Sequence, residues 1–207
     1  MLEPWKVVES RITHEDRWLK LRSDRCVDRE GRVIDPYHVL EFPGWINVVP
    51  LTPDGKIVLA REYRHGAAEI LTGLPCGTMD PGESDPESAA RRELAEETGY
   101  AGGTFHGLGS SFANPANQTN RAWSFLALGV SATGSRRLDP NEDIEVIVED
   151  FVGFMAGFWR DGVAVQVSHA AALHQAALWL MKGSGPPETA ALRRALRDEF
   201  NRVIGEG

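Results

Sequence analysis

Over residues 5–42 the apolar positions fall in short strand-like runs. Trp18-Leu19-Lys20-Leu21-Arg22 alternates, Asp28-Arg29-Glu30-Gly31-Arg32 reads as a turn, and Tyr37-His38-Val39-Leu40-Glu41-Phe42 reads as a second strand. Pro43-Gly44 punctuates. Trp45–Leu51 and Lys56–Glu62 then flank Thr52-Pro53-Asp54-Gly55, a hairpin signal. Ala122–Val130 has the apolar content of a buried strand, and Ile144–Val148 reads as another. The rhythm becomes helical over Phe151–Trp159 and Ser168–Lys182. Gly183-Ser184-Gly185-Pro186-Pro187 reads as a linker. Beyond it Leu192, Leu196, Phe200 and Val203 recur at helical spacing, so the last segment is an amphipathic helix that must dock on something. There is no internal repeat. Strands and helices mix without a regular βαβ rhythm, which argues against a doubly wound parallel sheet and fits an α/β/α sandwich with a mixed sheet.

The stretch Gly77–Tyr100 stands apart from this patterning. It reads G-T-M-D-P-G-E-S-D-P-E-S-A-A-R-R-E-L-A-E-E-T-G-Y, a Gly/Pro-rich loop followed by one charged helix. Ser84 with Glu87 makes a capping box, and Asp85 before Pro86 offers an alternative start with proline in the first turn. Gly99 is the expected left-handed stop. Glu93 and Glu97 are four apart and share a face, with Glu96 beside them. Like charges at that spacing destabilise an isolated helix, so something should offset them. A hard cation that prefers carboxylate oxygens would do so, as would Arg91 and Arg92.

Composition narrows the partners. The chain has 207 residues, 42% hydrophobic and 25% charged, as a soluble globular protein does. Its net charge is −8 with no basic run, which argues against duplex nucleic acid and anionic membrane as partners. A small anionic substrate remains open, because a bound metal supplies local positive charge. No signal-peptide pattern and no apolar run of membrane-spanning length occur. Cys26 and Cys76 form neither a disulfide framework nor a zinc ribbon, so a cytoplasmic setting is expected. His169 and His174, five apart, read as surface or packing residues.

The Gly77–Tyr100 stretch resembles the Nudix box, G-x5-E-x7-R-E-U-x-E-E-x-G-U, where U is aliphatic or aromatic. Gly77, Glu83, Arg92, Glu93, Leu94, Glu96, Glu97, Gly99 and Tyr100 fill its fixed places. Eight residues rather than seven separate Glu83 from Arg92, and the extra one falls within Ser84–Pro86. The resemblance implies Mg²⁺ or Mn²⁺ held by Glu93 and Glu97, with Glu96 assisting and the carbonyl of Cys76 as a further ligand. It implies that Arg92 orients the glutamates and that Glu83 acts through water or from behind the ligands.

Other segments resemble the ADP-ribose pyrophosphatase subgroup. Its fold carries a small N-terminal β-subdomain, expected here at 1–43, before a catalytic domain at 44–183 and a C-terminal linker and helix at 184–207. In that group the subdomain supports a homodimer and part of the substrate pocket. Pro115 lies sixteen residues after Gly99, as in the subgroup. Arg61-Glu62-Tyr63-Arg64 resembles its R-Q-Y-R run, and Leu74-Pro75-Cys76-Gly77 its L-P-A-G. Arg64, Trp45 and Pro115 are the implied substrate-binding residues. Two acids usual in the subgroup are replaced, by Gly73 and Asn120. The implied reaction is hydrolysis of ADP-ribose or a related nucleotide sugar, with GDP-mannose, ADP-glucose or a non-catalytic sensor as alternatives. The general base in the subgroup often follows the proline segment, which points to Glu142 first and Glu145 second, with Arg92 and Glu96 completing the catalytic set.

Overall fold

The computed structural model describes residues 2–17, 19–138, 141–162, 165–183 and 185–205. Trp18, Asp139, Pro140 and Ser184, which figure in the sequence reading, lie outside them. The chain forms two compact units, one of residues 1–44 with 111–122, the other of 45–110 with 123–207.

The smaller unit is an antiparallel sheet of β1 (Lys6–Glu15), β2 (Lys20–Val27) and β3 (Val33–Glu41), with β2 central. The expected turn at 28–32 joins β2 to β3. Asp28 Oδ1 accepts from the N–H groups of Glu30 and Arg32, both at 2.9 Å, and Gly31 takes φ +82°. Asp24 is buried in β2 and accepts from Ser10 Oγ at 2.7 Å and Arg22 Nε at 3.0 Å. The 111–122 segment joins this unit through β3. Leu40 N–H donates to Asn117 O at 2.7 Å, and its carbonyl accepts from Thr119 N–H at 3.1 Å.

The larger unit is a layered α/β fold. β4 (Trp45–Leu51) and β5 (Lys56–Arg64) form the expected hairpin. Its turn is closed by Gly55 N–H to Thr52 O at 3.0 Å with Gly55 at φ +79°. The sheet runs β12 (Ile144–Asp150), β5, β4, β10 (Arg121–Leu128), β9 (Thr104–Phe112). Two short strands, β6 (Glu69–Gly73) on β5 and β7 (Cys76–Thr78) on β4, fork from its middle. A separate two-strand ladder joins β8 (Tyr100–Ala101) to β11 (Ser131–Ala132).

Strand alternation explains both layers. Ile46, Val48, Val58, Phe125 and Ala127 pack with Ala89, Ala90 and Leu94 of α1 (Pro86–Thr98). The intervening Val49, Leu51, Ile57, Leu59 and Leu126 pack with α2 (Phe151–Asp161), α3 (Val167–Lys182) and α4 (Ala190–Gly205). Strands covered on both faces read as continuous apolar runs, which is why 122–130 had that character. The sequence reading missed β6 and β9. Both are rich in glycine or small polar residues, and partner strands rather than intrinsic propensity make them strands.

Helix α1 decides between the two starts that the sequence offers. Its N-cap is Asp85, not Ser84. Pro86 in the first turn leaves Asp85 extended, where its carboxylate accepts from Glu87 N–H at 3.1 Å and Ser88 Oγ at 2.6 Å. Gly99 closes the helix at φ +70°, as expected.

Candidate active site

The site is built where β7 meets α1. Cys76 and Gly77 sit in β7, paired with Asn47 and Ile46 of β4, so their backbone is fixed by the sheet. An ideal Cβ on Gly77 would lie 2.2 Å from the carboxyl carbon of Glu93, so only glycine lets that carboxylate lie against the strand. Glu97 is 5% exposed, and its Oε2 accepts from Cys76 N–H at 3.0 Å.

Arg92 ties the acidic groups together. One terminal nitrogen donates to Glu93 at 2.8 Å and Glu96 at 3.1 Å. The other donates to Thr78 O at 3.0 Å and Glu83 at 3.2 Å. Glu83 also accepts from Asp80 N–H at 3.0 Å. The extra residue in the loop therefore leaves Glu83 beside Arg92. Fork geometry suits arginine to this role, since several carboxylates meet one planar cation.

Burial dominates the electrostatics. It pushes the Glu97 carboxyl up to about 9, with the charges of Glu93, Glu62 and Glu142 adding to the rise and the Cys76 N–H opposing it. Burial also pushes Glu93 up to about 7, against the pull of Arg92. The largest influences on Glu97 are burial, the Cys76 N–H and the charges of Glu93, Glu62 and Glu142, none of them a cation. Among the described residues no three His, Cys, Asp or Glu side chains converge as a ready-made cation cage. In this conformation Arg92 holds Glu93 and Glu96, while a backbone N–H holds Glu97. A buried carboxylate compensated by a single neutral donor is costly unless a cation joins it. Adjacent carboxylate oxygens are the donor set a hard dication takes. The residues present fit Mg²⁺ or Mn²⁺.

Glu62 and Arg64 extend the site along β5. They form an ion pair at 2.6 Å, and Arg64 also approaches Cys76 Sγ at 3.4 Å. Burial raises the Glu62 carboxyl, Arg64 opposes the rise, and Glu142 adds to it. The charge of Glu142 is thus felt at Glu62, Glu93 and Glu97. Glu145 lies elsewhere: it is exposed on β12 and pairs with Arg61 at 3.6 Å. Trp45 is half-buried at the head of β4 and donates from Nε1 to Asn47 Oδ1 at 3.1 Å. Pro115 is exposed in the 111–122 segment of the smaller unit.

Two residues of this region escaped the sequence reading. Glu62 was legible in principle, because alternation along β5 puts it on the face of Arg64. His169 was not: it is buried at the start of α3 and lies against Gly73, a contact that no sequence spacing announces.

A model described as "NUDIX domain" matches residues 43–158, and one described as "Nucleoside diphosphate sugar hydrolase N-terminal domain" matches residues 5–40. An ADP-ribose pyrophosphatase of Bacillus subtilis (strain 168) is 30% identical over 56% of this chain and 71% of its own length. A methanol dehydrogenase activator of Bacillus methanolicus is 28% identical over 69% of this chain and 76% of its own. A solved structure titled as an ADP compounds hydrolase superposes with TM-score 0.77 at 23% identity, covering 89% of this chain and 98% of that one. The domain model spans the forked sheet, the glycine-backed carboxylates and the arginine that gathers them, and the chain belongs to the Nudix family.

Proposed function

We propose that the protein hydrolyses the pyrophosphate bond of ADP-ribose or a related nucleoside diphosphate sugar, giving a nucleoside monophosphate and a sugar phosphate. The observation that carries this reading is the pair Glu93–Glu97 packed on β7, Glu93 lying over Gly77 and Glu97 buried on the Cys76 N–H. The match of residues 5–40 to a nucleoside diphosphate sugar hydrolase domain and the similarity to the B. subtilis enzyme support the substrate class.

Glu93 and Glu97 would hold Mg²⁺ or Mn²⁺, with Glu96 and the Cys76 carbonyl assisting. Such an ion, when bound, neutralises phosphate charge and activates water. The chain's own residues do the rest. Arg92 fixes Glu93, Glu96 and Glu83 in one array, and Cys76 N–H orients Glu97. Arg64 would take a phosphate oxygen through the fork of its guanidinium. Glu142 is the preferred general base, because its charge is felt at the carboxylate array, whereas Glu145 is paired with Arg61. Glu142→Gln should lower kcat about 100-fold and lose the acidic limb of the pH–rate profile, with Glu145→Gln near wild type.

The N-terminal sheet supports a homodimer reading. β1 is exposed along its whole length and carries Val7, Val8 and Ile12 outward. No helix of the described residues is long and apolar enough to cross a membrane. Free Cys26 and Cys76, both buried, support a reducing cytoplasmic setting.

The test is a panel of ADP-ribose, ADP-glucose, GDP-mannose, UDP-glucose, NADH and diadenosine polyphosphates with Mg²⁺, products separated by chromatography. Release of AMP and ribose 5-phosphate from ADP-ribose is expected. Calorimetric binding of ADP-ribose without cleavage of any panel member would instead make the protein a sensor.

A further inference from the structure

A cavity of about 30 Å³ lies in the fork of the sheet, bounded by β5, β6 and the start of α3. That is room for about one oxygen-sized group. Glu62 and Arg64 line it from β5, Gly73 from β6 and His169 from α3. The start of α3 is pinned there by Ser168 Oγ, which donates to Asn47 Oδ1 of β4 at 3.2 Å.

His169 is 3% exposed. Its Nδ1 accepts from Leu74 N–H at 3.3 Å, so the neutral ring carries its proton on Nε2. Burial, with the nearby charge of Arg64, depresses the imidazole to about 4 and keeps it neutral. The Nε2 atom is buried and has no hydrogen-bond partner among the described residues. Gly73 makes the arrangement possible. A Cβ at that position would lie 2.6 Å from His169 Nδ1, so the ring occupies the space a side chain would take.

The cavity therefore presents a neutral donor, a cation and a carboxylate around a space for one atom. A phosphate oxygen would be repelled by Glu62. A hydroxyl fits all three, accepting from His169 Nε2–H and Arg64 while donating to Glu62. We propose that His169 is a specificity-determining residue of the pyrophosphatase site, binding one sugar hydroxyl of the nucleotide sugar through Nε2–H. This rests on the hydrolase reading above. An unpartnered buried donor is a standing cost that the right ligand removes, and a site of this kind discriminates strongly against analogues lacking the hydroxyl.

The experiment uses the full chain with Mg²⁺ and ADP-ribose. His169→Phe keeps an aromatic ring and removes both nitrogens. It should raise KM about tenfold with kcat within threefold, the scale of one buried hydrogen bond. His169→Gln, which can again present a donor, should recover most of the loss. Gly73→Ala displaces the ring without removing it and should raise KM similarly, and the Gly73→Ala/His169→Phe double variant should be no worse than either. Product inhibition locates the hydroxyl. A weakened Ki for ribose 5-phosphate alone places it on the terminal sugar, and one for AMP alone on the nucleoside ribose. KM within twofold of wild type in both single variants would overturn the assignment. So would a weakened Ki for inorganic phosphate, or equal KM losses in His169→Phe and His169→Gln that track a fall in Tm. A wild-type protein that cleaves no panel member would remove the hydrolase reading itself, a result distinct from any of these.

Discussion

Helices α1 and α4 have similar ingredients and opposite uses. Both are highly charged, α1 with four Glu and two Arg and α4 with four Arg, one Asp and one Glu, and both anchor on few apolar side chains. α1 rests on Ala89, Ala90 and Leu94, and α4 on Leu196 with Leu192 and Phe200 at the margin. In α4 Arg202 pairs with Glu199 on its own helix, while Arg193 and Arg197 reach toward the end of α3. Arg193 donates to Leu180 O at 3.2 Å and Gly185 O at 3.3 Å, and Arg197 reaches Met181 O. Leu180 and Met181 lie in the last turn of α3, and Gly185 follows it, so these bonds fasten α4 to the end of α3. In α1 the Arg92 side chain gathers four carboxylates, Asp80, Glu83, Glu93 and Glu96, and Glu97 takes a position that an apolar residue would fill in a structural helix. The difference separates a charged helix that stabilises the fold from one that gives up stability for a binding site.

The sharpest way to break the comparison is Glu97→Gln. It should cut turnover of ADP-ribose by about 10³-fold, roughly 4 kcal/mol of barrier. Stability should hold near pH 7 and exceed wild type at about pH 9, where the buried wild-type carboxyl ionises. A variant with near wild-type kcat would show that α1 is merely another structural helix.

The apolar anchors should behave alike in stability and differently in function. Leu94→Ala and Leu196→Ala each empty a fully buried site and should cost roughly 2–5 kcal/mol by denaturant titration. Kinetics on the folded fraction should show a large kcat loss only for Leu94→Ala. Equal losses would mean that α4 supports the site as closely as α1 does.

The pH dependence follows from the raised carboxyls. Glu93 and Glu97 protonate more readily folded than unfolded, at about 7 and 9 against about 4.5 unfolded. Their contribution is therefore fully present below about pH 4.5 and is lost as pH rises through 7 to 9. With chelator present, Tm should fall by at least about 3 °C between pH 6 and 9, the shift expected for roughly 1 kcal/mol in a chain of this size. Added Mg²⁺ should flatten the fall, and so should Glu97→Gln. A flat profile in chelator would mean that these groups are not buried as charges.

The smallest effect belongs to α4. Arg193→Ala removes bonds to two carbonyls and should cost about 1 kcal/mol in thermal or chemical denaturation, with kcat and KM unchanged. A change in KM would connect this end of the molecule to the site.

Much of this contrast was legible beforehand. The spacing Arg92-Glu93-x-x-Glu96-Glu97 fixes which groups share a helical face, whereas Gly77 read only as loop and the structure puts it in β7 under Glu93. The leucines of α4 fixed its docking face in the same way. What failed was non-local. The capping box at Ser84 is a local pattern, and Pro86 outweighed it by favouring Asp85 as the cap. β6 and β9 have no pattern of their own and exist because neighbours offer hydrogen bonds. Glu145 stood second to Glu142 in the chain, and the register of β12 against β5 sets it beside Arg61.

The sequence by itself determined the two-faced sheet, the carboxylate face of α1 and the kind of chemistry that face supports, because strand and helix periods fix which side chains point together. The tertiary structure alone decided which of those charges are buried, how Arg92 divides itself among them, and that His169 fills the space left by Gly73. Burial and close approach depend on segments far apart in the chain, 96 residues apart for that last pair. No local period encodes such a distance.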